Sequence, residues 1–191
     1  MGFLSILSYA HKLIEERVAP GDTVVDATAG NGVDTVFLSK CVGMQGTVHA
    51  FDIQEEALLQ THKRMAKELP EHDKVFLHLR SHAEIKETLP AEAEGQVAAV
   101  MFNLGYLPGA DPATITVPSS TLPALQGASE LLRRGGVLTI ALYTGHEGGE
   151  QEAAIVRDWA EQLPQRQFQV MEYRFINRHN HPPYLIAIEK Q

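Results

Sequence analysis

At 191 residues, with 44% apolar and 21% charged side chains, the chain is long enough to enclose one sizeable core and lies outside the compositions of disordered, fibrous and repeat proteins. Its 24 acidic against 16 basic residues give a formal net charge of −8, which excludes a generally basic surface, so any nucleic-acid partner must be met by a local patch. No apolar run approaches the ~20 residues of a membrane span, and the single cysteine, Cys41, excludes an intrachain disulfide and fits a reducing cytoplasm.

The start, MGFLSILSYAHKL, lacks a basic leader and continues with His11, Lys12, Glu15 and Glu16 at helical spacing. It reads as an amphipathic helix over residues 4–18, not an export signal. Apolar periodicity then gives a strand at 23–27, a helix at 33–41, a strand at 47–53, a helix at 55–69 and strands at 74–79 and 97–103. A helix at 119–133, a strand at 136–142, a helix at 150–163 and two strands at 168–175 and 183–190 complete the series. The blocks VVDA, AAVMF and VLTIAL lack period-two alternation, as expected of strands covered on both faces in a parallel sheet. These features predict a doubly wound, Rossmann-like α/β fold in a single domain over residues 1–191, with helices on both faces. INRHNHPP, which joins the last two strands, holds asparagines and two prolines that cannot continue a ladder, so the closing strand should be an antiparallel hairpin partner. LGYLPGADPATITVPSS is the longest stretch without a clear pattern, and a loop of that length is more often functional than decorative.

In an open parallel sheet, ligands bind beyond the carboxyl ends of the strands where the winding reverses. DATAGNG follows the first strand, and its Gly30 and Gly32 permit a tight bend and close approach to a ligand at a helix start whose N–H groups favour an anion. The second strand ends in Asp52, placed to accept hydrogen bonds from two ribose hydroxyls. Together they specify a nucleoside-containing ligand; the alternative is a plain strand-to-helix turn with Asp52 only starting the next helix. The dinucleotide pattern G-x-G-x-x-G is absent, and Gly32 is followed by Val33 and Asp34 where a P-loop needs Lys and Ser or Thr. Asp34 repels a phosphate yet suits an amino group or a sulfonium. S-adenosylmethionine meets these conditions, with ribose for Asp52, a carboxylate for the loop amides and cationic groups for Asp26 or Asp34.

DATAGNG followed by Asp52 resembles the first two motifs of class I S-adenosylmethionine-dependent methyltransferases, whose seven-stranded sheet also ends in an antiparallel strand. More narrowly, AHKLIEERVAPGDTVVDATAGNGVDTVFLS, FNLGYLPGAD, LYTGHEGGEQE and NRHNHPPYLIAIEK together resemble the bacterial rRNA methylase family, now associated with methylating 5-aminomethyl-2-thiouridine at the wobble position of tRNA. The resemblance implies that Asp26, Thr28, Ala29, Gly30, Asn31, Gly32, Asp34, Thr35, Asp52, Ile53, Ser81, His82 and Asn103 hold the cofactor. Thr28 stands where the broad class usually has a glycine. The acceptor would be tRNA, met at its anticodon loop; rRNA, a small amine or a non-catalytic nucleoside-binding role are the alternatives.

An amine acceptor must be neutral and aligned when it attacks a methyl group, and amide and carbonyl oxygens that accept its N–H bonds can achieve both. FNLGYLP, at the end of the fourth strand, offers Asn103, the Leu104 carbonyl and an aromatic wall in Tyr106. It resembles the Asn-Pro-Pro-Tyr motif of base-directed amino methylating enzymes, with Leu104 and Gly105 in place of the prolines, so Asn103 and Tyr106 are the expected catalytic pair. Against this stands a strand-end cap and a packed tyrosine. Leu104, Tyr106, Pro108, Tyr143, His146, Arg178, His179 and His181 form the expected substrate edge, with an ordinary Gly-rich turn and a solvated hairpin tip as the plain alternatives. His179 and His181 lack the partners a metal site needs, so no metal is expected. Contacts to RNA would rest on Lys12, Arg17, Arg133, Arg134, Arg174 and Arg178, with a homodimer able to complete the surface.

Overall fold

The computed structural model describes residues 2–105, 116–178 and 182–191. Strands β1 (Thr23–Asp26), β2 (Thr47–Asp52), β3 (Val75–Leu79), β4 (Val97–Leu104), β5 (Leu132–Leu142), β6 (Phe168–Tyr173) and β7 (Tyr184–Lys190) form one sheet in the order β3-β2-β1-β4-β5-β7-β6. The first five run parallel, and β7 is antiparallel to both β5 and β6. Helices α1 (Ile6–Glu15), α2 (Val33–Val42) and α3 (Glu55–Glu68) cover one face, and α4 (Ile85–Thr88), α5 (Pro118–Leu131) and α6 (Gly149–Glu161) the other.

The unbroken apolar blocks arise because successive residues of a strand feed different cores. In β1, Val24 packs with Ile14 and Leu38 on the α1–α2 face, while Val25 packs with Ile85 and Leu125 on the α4–α5 face. The outer strands β3 and β6 are half exposed, so burial there is one-sided.

Three departures from the predicted elements have local causes. Ser5 accepts the Ser8 N–H at 3.1 Å as an N-cap, starting α1 two residues later than periodicity suggests. The sequence pattern passes directly from β3 to β4, yet the crossover carries a 3₁₀ turn (His82–Glu84) and then α4, whose four residues contain one apolar side chain, Ile85, and so no readable period. β5 begins at Leu132, directly after α5: Leu132 pairs with Val97, residues 133–136 bulge out, and the ladder resumes at Val137 opposite Ala99.

From β1 the chain winds outward through β2 to β3, then returns with β4 on the other flank of β1. The crossovers therefore leave opposite faces at β1 and β4, and a crevice opens at their carboxyl ends.

Candidate active site

A crevice of about 640 Å³ opens at that reversal. Its floor is the loop after β1, which is pinned from three sides through its own backbone. Ala29 donates its N–H to the Phe51 carbonyl at 2.8 Å, Gly30 donates to Asp52 Oδ2 at 3.0 Å, and Gly32 donates to the Ala29 carbonyl at 2.8 Å. Thr61 of α3 donates its hydroxyl to the Gly30 carbonyl at 3.0 Å, and Arg64 donates to the Asn31 carbonyl at 2.7 Å. Gly30 (φ 52°) and Gly32 (φ 76°) both occupy the left-handed region. Gly32 is the N-cap of α2 without a side chain to satisfy its first amides, which leaves that helix start open to an anionic group.

The residues predicted for the cofactor divide into a lining and a support. Thr28, Ala29, Asn31, Asp34, Asp52, Ile53, Ser81, His82 and Asn103 line the crevice. Asp26, Gly30, Gly32 and Thr35 stand behind them. Asp26 is fully buried, accepts the Thr35 hydroxyl at 2.6 Å and the Thr28 N–H at 3.2 Å, and so ties the end of β1 to α2. Burial, with the Asp34 carboxylate nearby, pushes its carboxyl up to about 7. Thr28 also braces the fold, because its Oγ1 accepts the backbone N–H of Asn103 at 2.8 Å and so bonds the β1 loop to β4 in a way glycine could not.

Asp52 accepts the Gln54 N–H on Oδ1 at 2.9 Å and the Gly30 N–H on Oδ2 at 3.0 Å. Burial raises its carboxyl above the ordinary range, and these amides pull it back. Each oxygen keeps a lone pair for a hydroxyl of a bound ribose. Burial pushes the His82 ring down to about 4, so it is neutral at pH 7; it donates to the Ala27 backbone, and Nε2 is buried without a partner. That nitrogen, on a residue lining the crevice, is an acceptor available to a donor from outside the chain, such as the exocyclic amine of adenine. The open helix start, the ribose-height carboxylate and this acceptor fit S-adenosylmethionine part by part.

At the opposite wall, Asn103 Nδ2 donates to Asp34 Oδ2 at 2.7 Å, and Asp34 Oδ1 meets His11 Nε2 at 2.7 Å. The His11 ring lies flat on Phe37, with centroids 3.7 Å apart and planes 8° apart. Tyr143 lines the same wall, its hydroxyl held protonated by burial and by Asp34. The Leu104 side chain is buried, and its carbonyl accepts the Tyr143 N–H at 3.0 Å, which uses one of its two lone pairs. His146 sits beside Gly105, where a Cβ would lie 3.5 Å from its Nε2. Arg178 does not line the crevice, and its guanidinium lies 4.5 Å above the Phe175 ring. Tyr106, Pro108, His179 and His181 lie outside the described residues.

Of the basic residues expected to meet RNA, three are committed at the far edge of the sheet, Arg134 by donating to the Gln191 carbonyl at 3.1 Å. Arg133 forks onto both Asp22 oxygens (2.7 and 2.9 Å) just before β1, and Arg17 binds Glu189 at 2.8 Å. Arg174 and Arg178 follow the carboxyl end of β6, on the crevice edge, and stack over Tyr184 and Phe175.

Periodicity and motifs also miss part of the lining. Leu7, Val33, Gln54, Gly105, Thr116, Val117 and Ser120 reach the crevice. Leu7 and His11 are four residues apart on α1, and that helical spacing marks one face; Gly105, Thr116, Val117 and Ser120 belong to LGYLPGADPATITVPSS, whose length marks the stretch as functional without singling out these residues. Glu152 of α6 accepts the Thr116 and Thr121 hydroxyls at 2.6 and 2.7 Å, and so fixes this side of the opening.

The family model "Putative rRNA methylase" matches residues 48–189. A Clostridium thermocellum protein of the same description has a crystal structure that superposes with a TM-score of 0.95 at 40% identity, each chain covered in full. A Streptococcus mutans "putative methyltransferase", solved in complex with SAH, superposes at 0.89 with 36% identity, again over the whole of both chains. The chloroplastic tRNA (mnm5s2U34)-methyltransferase of Arabidopsis thaliana is 34% identical over 95% of this chain and 68% of its own length.

Proposed function

This chain belongs to the rRNA methylase family, and from that premise we propose that it is a cytoplasmic methyltransferase that uses S-adenosylmethionine to methylate the amine of 5-aminomethyl-2-thiouridine at the wobble position of tRNA. The observation that carries this reading is the convergence of the open α2 start, Asp52 and Asn103 on one crevice. A ribose-binding carboxylate and an amide suited to an amine acceptor share the same hollow. The names of the Arabidopsis relative and of the SAH-bound Streptococcus protein support the substrate and the cofactor respectively.

S-adenosylmethionine, when bound, supplies an electrophilic methyl group on a sulfonium. The chain's own residues orient and enclose. The α2 amides and the loop after β1 would hold a carboxylate, Asp52 the sugar hydroxyls and His82 an amino group on the base. Asn103 accepts an N–H of the acceptor amine and turns its lone pair toward the crevice. Leu7, Val33, Phe51, Ile53 and Val117 supply the apolar lining that excludes water. Tyr106 is proposed as the surface on which a splayed wobble base stacks. Arg174 and Arg178 supply phosphate contacts at the crevice edge, a modest number for an acidic chain, and an anticodon loop demands few.

Transfer of labelled methyl to tRNA carrying 5-aminomethyl-2-thiouridine tests the proposal. Incorporation should yield 5-methylaminomethyl-2-thiouridine on nucleoside analysis, and the unmethylated nucleoside should accumulate in a strain lacking this gene. Label entering rRNA or a free amine but not this tRNA would overturn the substrate assignment.

A further inference from the structure

The wall of the crevice holds a chain of three polar side chains that reaches from the surface of α1 to the end of β4. A carboxylate carries no proton to give, so the group of Asn103 that lies 2.7 Å from Asp34 Oδ2 must be its NH₂. The orientation of a side-chain amide is set by its hydrogen-bond partners, and here the partner allows only one. With the NH₂ committed, Oδ1 is the end of the amide left for an incoming amine. The backbone is fixed as well, since the Asn103 N–H is held by Thr28.

Asp34 does not stand alone. Its second oxygen meets His11 Nε2 at 2.7 Å, and in the neutral ring only an Nε2–H tautomer makes that contact attractive. His11 is in turn set by its stack on Phe37 and by its place on α1, which packs against the sheet through Ala10, Leu13 and Ile14. The Asp34 side chain is 11% exposed and that of His11 26%, so solvent competes only weakly for this pair. Other ionisable neighbours are Asp26, buried behind Asp34, and Tyr143 on the facing strand end.

We propose that His11 and Asp34 are positioning residues that lock the Asn103 amide with its oxygen toward the acceptor amine, His11 acting through Asp34. This rests on the reading of Asn103 as the group that orients the acceptor. Asp34 alone could swing between rotamers or accept from Asn103 with either oxygen. Two donors, one on each oxygen, leave one carboxylate orientation and hence one amide orientation. An amide that flipped would present NH₂ to the amine, where it would either repel an N–H or donate to the lone pair that must attack and so block it.

Two substitutions separate this role from packing. His11→Phe keeps a ring to stack on Phe37 but removes the donor, and His11→Gln removes the ring but restores an amide N–H at the same bond distance from the backbone. The expected result is a 10- to 30-fold lower kcat for His11→Phe with KM for tRNA within threefold, and recovery of most of that loss in His11→Gln. The second readout needs no turnover. In the ¹⁵N–¹H spectrum of the ligand-free protein, the Asn103 side-chain pair, identified by its loss in Asn103→Ala, should show one proton shifted strongly downfield by the carboxylate. That shift should shrink in His11→Phe and return in His11→Gln. Wild-type kcat and an unmoved resonance in His11→Phe would overturn the proposal, as would His11→Gln faring no better than His11→Phe. If Asn103→Ala itself transfers methyl at the wild-type rate, the fault lies with the reading of Asn103 and not with the relay.

Discussion

Gly32 offers a test in which the cost can be worked out from two separate sources. Its φ of +76° is a conformation that L residues adopt at a cost of about 1–2 kcal/mol. A Cβ there would also lie 2.8 Å from the Thr61 Cα and 3.0 Å from both its Cγ2 and Oγ1. Thr61 is fully buried on α3 and its hydroxyl holds the Gly30 carbonyl, so the backbone of one element must move away from the other. Overpacking of this kind costs about 1–3 kcal/mol, and the weakened hydrogen bond about 1 more. Gly32→Ala should therefore lose about 3–6 kcal/mol in denaturant unfolding, with a fall in Tm of roughly 6–24 °C for a chain of this size. Gly21 provides the control. It has φ +93° with nothing within 4 Å of a Cβ, so Gly21→Ala meets only the backbone cost of about 1–2 kcal/mol. The difference between the two variants isolates the clash with α3. Equal losses would refute the idea that the loop after β1 is pressed against Thr61.

Other consequences follow from the buried ionisable groups and the rim. Asp26 holds its proton to about pH 7 in the fold against an ordinary value of 3.8, so the stability it supports is complete below pH ~4, declines as pH rises to ~7 and is level above. The decline is at most ~4 kcal/mol, and Asp26→Asn should flatten that part of the curve when chemical unfolding is measured from pH 4 to 8; an unchanged slope would contradict it. His49 has the opposite sign. Burial, with His78 3.0 Å from its Nδ1, lowers the ring to about 4 from an ordinary 6.5, so its contribution is present above pH 6.5 and lost as pH falls toward 4. His49→Phe should reduce the loss of stability across that acid limb, and a limb as steep as that of the wild type would rule the assignment out. Glu152→Ala strips the partner from both Thr116 and Thr121, and should destabilise the protein by about 2–3 kcal/mol while raising KM for the acceptor; unfolding and steady-state kinetics on the one variant check both effects.

The sheet was legible because its strands are covered on both faces and therefore read as apolar runs, and because INRHNHPP interrupts the parallel winding with residues no ladder accepts. The glycine loop and Asp52 were legible for a different reason: a backbone conformation and a carboxylate at fixed strand ends leave local marks. α4 left none, since four residues with one apolar side chain have no period. The support behind the crevice was equally hidden. Nothing in one sequence says that Thr28 bonds to the backbone of a residue 75 positions away, or that Asp34 joins His11 to Asn103 across 23 and 69 positions. Arg133 illustrates the converse, a residue whose charge suggested RNA but whose place at the start of β5 delivers it to Asp22 at the wrong edge. Composition shows how many charges exist, and only the fold shows which are already paired.

Everything functional depends on the crevice at the ends of β1 and β4 binding an adenosine-containing sulfonium cofactor with Asp52 on its sugar. Isothermal titration with S-adenosylhomocysteine measures this directly on the wild type and on Asp52→Asn. One site per chain is predicted in the wild type, with binding weaker by about 10- to 100-fold in the variant from the loss of hydrogen bonds to a charged acceptor. No binding heat in the wild type, or equal affinity in the two proteins, would contradict it.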